Sequence, residues 1–480
     1  MDASDHDGIR MTQTVFDRPI DDRLVDTALA ASRQGSFWLD RTPGDRRPAL
    51  TADLACDLLV IGGGYTGLWT ALKAKRRNPG ARVVVLEART NGWAASGRNG
   101  GFVEASLTHG ESNGRTRFAT DYDALDADGL ENLDAMESAV LGFERNADWE
   151  RSGVYGVATE PHQVPWLQED VDGERAVFFD GPAMRQEVAS PTYLGGVLMP
   201  RDAALVDPAR LVDALAHACA SEGVELFEDS PVRGIERSVT GVIATTARAQ
   251  VVADRVALAT NAFPTLLKRL RLFTVPVYDY VLMTEPLSAA DRAAIGWSGR
   301  QGIGDSANQF HYYRLTDDDR ILWGGYDAIY HYGGRIRREY EERPETFRKL
   351  AQHFFTTFPQ LEHVRFEHRW AGAIDTCSRF CAFFGTAWGD RVSYALGFTG
   401  LGVGATHYAA DVMLDLLEGI QTRRTTNEMV RSTPLPFPPE PATWPAVQAT
   451  RFALNRADHR EGRRGAFLRT LDAVGLGFDS

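Results

Sequence analysis

Residues 60–71 read VIGGGYTGLWTA, with Gly62, Gly64 and Gly67 in G-x-G-x-x-G spacing between an apolar run and a helical stretch. The first glycine permits a tight turn, the second lets backbone approach a pyrophosphate, and the third lets helix pack on strand. An anion held there rests on the helix N-terminus beside Tyr65 and Thr66, where amides and the helix dipole favour negative charge. Glu87 closes the next apolar strand about 20 residues on, where a carboxylate can accept from both hydroxyls of an adenosine ribose, and Ala88 and Arg89 follow it. This chemistry requires a dinucleotide, FAD or NAD. GWAASGRNGGF, residues 92–102, chooses between them. The small residues Ala95, Gly97, Gly100 and Gly101 and the donors Ser96, Arg98 and Asn99 can line a long pyrophosphate and ribityl chain, which a nicotinamide enzyme does not need.

The elements that must position these residues follow from the patterning. An apolar run, glycines, a helical stretch and a second apolar run make a right-handed βαβ unit opening an α/β domain. A charged helical region over 120–150 and a short strand at 154–159 change the pattern, and DPARLVDALAHACASEGVELFE with the strand 251–259 resumes it. PVYDYVLMTEPL, NQFHYYRL and RILWGGY then read as antiparallel strands. The expected fold class is α/β plus α+β, a Rossmann-type FAD-binding domain interleaved with an antiparallel-sheet substrate domain. Residues 1–54 form a polar leader. Cofactor-domain parts span 55–110, 196–275 and 371–425, and substrate-domain parts span 111–195 and 276–370. Residues 426–480 form a proline-rich linker and a basic terminal segment, expected to dock on the protein itself.

At 480 residues and 44% hydrophobic content the chain can build two cores. A net charge of −13 and pI near 5.4 argue against a nucleic-acid partner. Four scattered cysteines form no disulfide framework, Cys377 and Cys381 read as packing, no metal site is expected, and a reducing cytoplasm fits. No signal-peptide pattern opens the chain, and no apolar run is long enough to span a membrane.

VIGGGYTGLWTA, GWAASGRNGG, HYYRL with LWGG, and GFTGLGVGA together resemble the FAD-dependent amine oxidoreductases that include D-amino-acid oxidase, glycine oxidase and sarcosine oxidase, and most of all the gamma-glutamylputrescine oxidase branch. This resemblance covers residues 35–425. It implies FAD between a Rossmann-type domain and a sheet that covers the flavin ring. It further implies that Thr260 and Asn261 pass near the cofactor and that Val232 meets the adenine side through its backbone. Thr399, Gly400, Leu401, Gly402 and Val403 would face the flavin pyrimidine edge. GLGVGA also satisfies the dinucleotide spacing, but QTRRTTNEMVRSTPLPF after its helix holds no apolar strand, so a second nucleotide site for NAD(P)H is disfavoured.

The family's chemistry is amine oxidation, with the equivalent of hydride passing to flavin N5, an imine that water hydrolyses, and O2 or another electron acceptor. Such a site must orient a C–H bond and exclude water, which aromatic walls do well. Candidates on substrate-domain strands are Tyr280, His311, Tyr313, Trp323 and Trp370, along with Tyr278 and Tyr312. Alternation puts Tyr278 with Tyr280, and His311 with Tyr313 opposite Tyr312, and leaves open which face meets the flavin. Trp323 matches the position of a lysine that assists oxygen in the sarcosine oxidase branch. No cysteine stands near Gly372, where the covalent branch attaches its flavin, so non-covalent FAD is expected. Glu104 and Asp279 are candidates for a polyamine derivative, and Arg314 for an amino acid. The alternatives are an NAD(P)H-dependent flavin monooxygenase and a non-catalytic FAD-containing subunit.

Overall fold

A computed structural model describes residues 12–476 apart from 170, 172, 174 and 474. Leu58–Ile61 is apolar without alternation, as a strand covered on both faces must be. It lies at the centre of an eight-stranded sheet. Five parallel strands run in the order Glu225–Phe227, Val83–Leu86, Leu54–Ile61, Gln250–Leu258 and Val392–Leu396. Leu58, Val60, Val83 and Val85 face the helices Tyr65–Arg77, Pro208–Ser221 and Gly402–Glu418, while Leu59, Ile61, Val84 and Leu86 pack on the other side with Leu267 and Leu270. Successive strands leave Leu54–Ile61 in opposite directions, so a crevice opens at its carboxyl end, the topological switch point where such sheets bind ligands.

A ten-stranded sheet forms the second body. It is antiparallel except where Arg33–Gln34 pairs with Phe366–Thr376 and Gly302–Asp305 pairs with Val154–Ala158. The amphipathic helix Pro344–Thr357 covers one face, laying Phe347, Leu350, Ala351, Phe354 and Phe355 among Tyr278, Tyr280, Leu282, Tyr313 and Trp323. Val281, Met283, Leu322 and Trp370 occupy the opposite face, with Tyr312 partly buried beside them, and this face looks toward the cofactor domain.

Several expected boundaries move. Gly195–Met199 pairs within the ten-stranded sheet, so the chain crosses back after Met199 rather than at 195. Tyr122–Leu141, expected in the substrate domain, packs into the cofactor-domain core because Leu125, Leu133 and Met136 meet the closing helix Gly402–Glu418. Phe366–Thr376 continues past the expected limit at 370. Residues 1–11 of the leader lie outside the described residues; from 12 on it holds helix Asp22–Leu29, a two-residue strand and helix Phe37–Arg41, whose Phe37 and Trp38 are buried. In the tail, helix Thr443–Asp458 docks on the substrate body, with Arg451 reaching Asp327, Asn455 donating to Gln309, and Asn308 donating to Asp458. Among the described residues no helix is long and apolar enough to cross a membrane.

Candidate active site

The glycine loop enters the helix Tyr65–Arg77 through Gly64, an N-cap that brings no side-chain acceptor. The first-turn amides of Thr66 and Gly67 are therefore open toward a ligand, while that of Tyr65 donates to Ser96. Gly62 takes φ +115°, where a Cβ would strike the Ala259 carbonyl, and a Cβ on Gly67 would fall on the carbonyl of Gly62. Both positions need glycine for close approach of backbone, which is how the spacing read. Thr260 and Asn261 follow Ala259, whose amide donates to Ile61, so they flank the glycine turn. Asn261 (φ +50°) and Thr399 (φ +49°) hold left-handed backbone, a cost that non-glycine residues carry mainly at functional sites.

Glu87 sits buried at the end of Val83–Leu86 and accepts from the Gly63 amide at 2.7 Å, the Arg89 amide at 2.9 Å and the Trp93 indole at 2.9 Å. Burial raises its carboxyl above the ordinary range against the pull of these donors. Three of its roughly four acceptor positions are thus taken, leaving fewer for a ribose than the spacing suggested. The segment ending in Val232 lies against this corner, since Ser230 donates its amide to Glu87 and Asp229 donates to Arg89. The Arg89 guanidinium stacks on Trp93, its central carbon 4.2 Å from the ring centre. Trp93, Arg89, Arg98 and Phe263 line a cleft of about 390 Å³ beside Glu87.

In the loop 95–101 the structure corrects the expected roles of three side chains. The Ser96 hydroxyl accepts from the Tyr65 amide at 3.0 Å. Asn99 donates to the carbonyls of Ala95 and Ser96, and its own carbonyl group accepts from the Gly101 amide. Arg98 points to the substrate body, donating to Trp93 O, Glu341 and Ala371 O. These side chains shape the loop and leave its backbone to meet a ligand. Two struts that the sequence did not reveal hold it from outside: Ser36 donates to the Gly97 carbonyl and the Trp38 indole to that of Asn99, each at 3.0 Å. Their signal was a polar residue beside a large aromatic, which any exposed leader can carry.

Of the five aromatic and histidine candidates, four are turned away from this edge. Tyr280 donates to Tyr340 O, the Tyr313 and Tyr193 hydroxyls share a hydrogen bond, and His311 is held between Asp305 and His353. Trp323 stacks on Tyr313 with ring centres 4.4 Å apart. All four belong to the core under helix Pro344–Thr357, so Trp323 faces away from the cofactor domain, and Gly324 is its neighbour on the opposite face. Trp370 does lie on the cofactor side, fully buried, where its indole donates to Arg98 O at 2.8 Å and ties loop to sheet. Arg314 is likewise committed, donating to the carbonyls of Val206 and Gly101.

Tyr312 and Asp279 remain on the open face. The Tyr312 hydroxyl donates to the Asp279 carboxylate in a short hydrogen bond. Its ring slots between the cofactor loop and the sheet: a Cβ on Gly100 or on Gly324 would each come within 2.7 Å of it. Burial pushes Asp279 up to about 6, with the Tyr312 hydroxyl pulling the other way, and drives Tyr312 well above its ordinary value. Asp375, which the sequence did not single out, accepts from the Gly397 amide at 2.6 Å and so anchors the turn leading to Thr399 and Gly400. Gly402 starts the closing helix, whose cap Leu401 brings no side-chain acceptor, and Val403 is buried beneath. Among the described residues only helices follow it and no strand, so GLGVGA completes no second βαβ unit.

A parallel sheet of this order with a bare glycine cradle at its switch point, closed by a second sheet, defines a two-body dinucleotide-binding oxidoreductase. Residues 57–416 match the family described as FAD dependent oxidoreductase, DAO, and the chain belongs to that family. Gamma-glutamylputrescine oxidoreductase of Escherichia coli (strain K12) is 31% identical over 384 residues, covering 77% of this chain and 85% of that one. Glycine oxidase from Bacillus cereus ATCC 14579 superposes with a TM-score of 0.63 at 20% identity, covering 80% of this chain and 100% of its own. Iminodiacetate oxidase from Chelativorans sp. BNC1 superposes at 0.62 and 16% identity, covering 78% of this chain and 98% of its own. The protein is an FAD-binding oxidoreductase, and the cradle fits that cofactor: open helix amides, glycines where a Cβ would collide, and a carboxylate at the second strand's end.

Proposed function

We propose that this protein oxidises a primary or secondary amine, a polyamine derivative or an amino acid, to an imine that water hydrolyses, with oxygen accepting the electrons as hydrogen peroxide. The observation that carries this reading is the buried Asp279–Tyr312 pair beneath the cofactor loop. FAD, when bound, supplies the acceptor for the hydride equivalent at its N5.

The remaining work falls to the chain. Gly64, Thr66 and Gly67 would hold the diphosphate by backbone amides, with Gly62 and Tyr65 shaping the turn through their own bonds to Leu86 O and Ser96, while Glu87 would take the ribose with its remaining acceptor capacity and loop 95–101 would steer the ring toward the Tyr312 face. Thr399 to Val403 would present the closing helix's positive end to the ring's far edge, where it would stabilise negative charge. An amine arrives as its ammonium form and must lose a proton before its nitrogen lone pair can assist departure of the neighbouring hydride. Asp279 takes that proton directly or through the Tyr312 hydroxyl. The transfer turns an ion pair into two neutral groups, which a buried site favours because both charges are costly there. Tyr312 and Phe102, with ring centres 5.7 Å apart, wall the chamber and exclude water.

Non-covalent attachment fits the thiols nearest the site, since Cys377 and Cys381 are buried and Cys377 donates to the carbonyls of Cys381 and Gly397. Four free buried thiols also fit a reducing, cytoplasmic setting.

An anaerobic titration of the purified yellow protein tests the reading. Amines are expected to bleach the oxidised flavin band near about 450 nm, and admission of oxygen to restore it with peroxide formed. Bleaching by NADPH without any amine, or a flavin that no amine reduces, would refute it.

A further inference from the structure

Phe102–Glu104 is a short strand paired with Ala203–Leu205. Alternation sets Phe102 and Glu104 on one face and Val103 on the other, and Val103 is fully buried in the cofactor-domain core. Because the Phe102 ring meets Tyr312 edge-on, the face it shares with Glu104 looks toward the Asp279–Tyr312 pair. Glu104 stands about 7 Å farther along, two residues at the rise of a strand. The strand is pressed on the first turn of the closing helix, where a Cβ on Gly404 would come 2.5 Å from the Glu104 carbonyl oxygen.

Glu104 is exposed to the space in front of this face, and crowding by the surrounding protein still raises its carboxyl above the ordinary range. Among the described residues it has no hydrogen-bond or ion-pair partner. A carboxylate exposed on this face without a cation of its own can pair with one that a ligand brings. Arg314, near the loop's end, donates to backbone carbonyls and makes no ion pair with Glu104 among the described residues.

We propose that Glu104 receives a second, non-reacting cationic group of the substrate, so that the chamber selects a diamine or polyamine-like amine over a simple amino acid. This rests on the amine reading above: Asp279 serves the reacting nitrogen and Glu104 holds the distal ammonium, one carboxylate at each station. The acidic surface adds attraction for such a substrate before it enters.

Calorimetry on dithionite-reduced holoprotein, in which bound amine cannot react, gives a binding readout separate from turnover. Wild type is expected to bind 1,4-diaminobutane about ten- to a hundredfold more tightly than 1-aminobutane, the range of a charge-assisted hydrogen bond. Glu104→Gln, with the flavin content of wild type, is expected to shrink that ratio to within about threefold. Glu104→Lys is expected to turn the preference toward 4-aminobutanoate. A wild-type ratio in Glu104→Gln, or equal weakening of both amines, overturns the assignment. If neither amine reduces the oxidised wild-type protein, the amine reading itself is what fails.

Discussion

Gly64→Asp yields folded protein without colour. Gly64 holds φ −87° and ψ −173°, extended backbone open to any residue, so the substitution costs no conformational strain. Aspartate is moreover a good N-cap, whose carboxylate accepts from first-turn amides, and the helix Tyr65–Arg77 gains from it. The damage is confined to the ligand: the new carboxylate occupies the diphosphate position, takes its amide donors and repels its charge. The Cβ itself would lie 2.9 Å from the Ser96 hydroxyl, which a small rotation of that hydroxyl relieves. Affinity for FAD is expected to drop at least about a hundredfold, beyond retention through purification. The ratio of flavin to protein absorbance, read with a thermal melt of the flavin-free chain, checks both halves. Full flavin content in a well-folded variant would show that the diphosphate lies elsewhere.

Asp279→Asn keeps its flavin and loses most of its reaction with amines. The hydrogen bond to Asp279 comes from Tyr312, a sheet residue, and asparagine can still accept it. What disappears is the site for the proton. The rate of flavin reduction at saturating amine is expected to fall about 10²- to 10⁴-fold, the usual worth of a positioned base. The sign of the pH dependence follows from burial. Asp279 is raised to about 6, so it is ionised and able to accept a proton above that pH and protonated below it. Wild-type reduction should therefore slow as pH falls through about 6, and the limb should vanish in the variant. Rapid-mixing absorbance across pH 5 to 9 reads both. An unchanged limb in Asp279→Asn would assign the titration to another group.

The cofactor edge was legible because its information is local. Gly62, Gly64, Gly67 and Glu87 lie within one βαβ unit, and the spacing a pyrophosphate imposes on them is written there, even though the carbonyl that Gly62 must clear belongs to distant Ala259. The substrate face was not legible in the same way. Alternation correctly separated Tyr312 from His311 and Tyr313, yet which side receives the cofactor is decided by helix Pro344–Thr357, whose Phe347, Leu350 and Phe354 cover the other. That helix lies beyond these strands in the chain, so no spacing within HYYRL or LWGG records it. Trp323 shows the difficulty: a match of adjacent residues cannot tell one face from the other, because a register slip of one exchanges them. Asp279 was visible as a carboxylate, but its pairing with Tyr312 needs three strands in register, Val281 against Gly324 and Gly324 against Tyr312. Ser36 and Trp38 escaped notice because the loop they brace is some 60 residues away in sequence, and long-range pairing leaves no periodic trace.

Crystals of the purified yellow holoprotein test most directly where the reaction takes place. The isoalloxazine ring should rest on the sheet face carrying Tyr312, Asp279 and Trp370, its diphosphate on the amides after Gly62. A ring seated instead against Trp323 and Tyr313, or a diphosphate away from the glycine turn, would contradict the account.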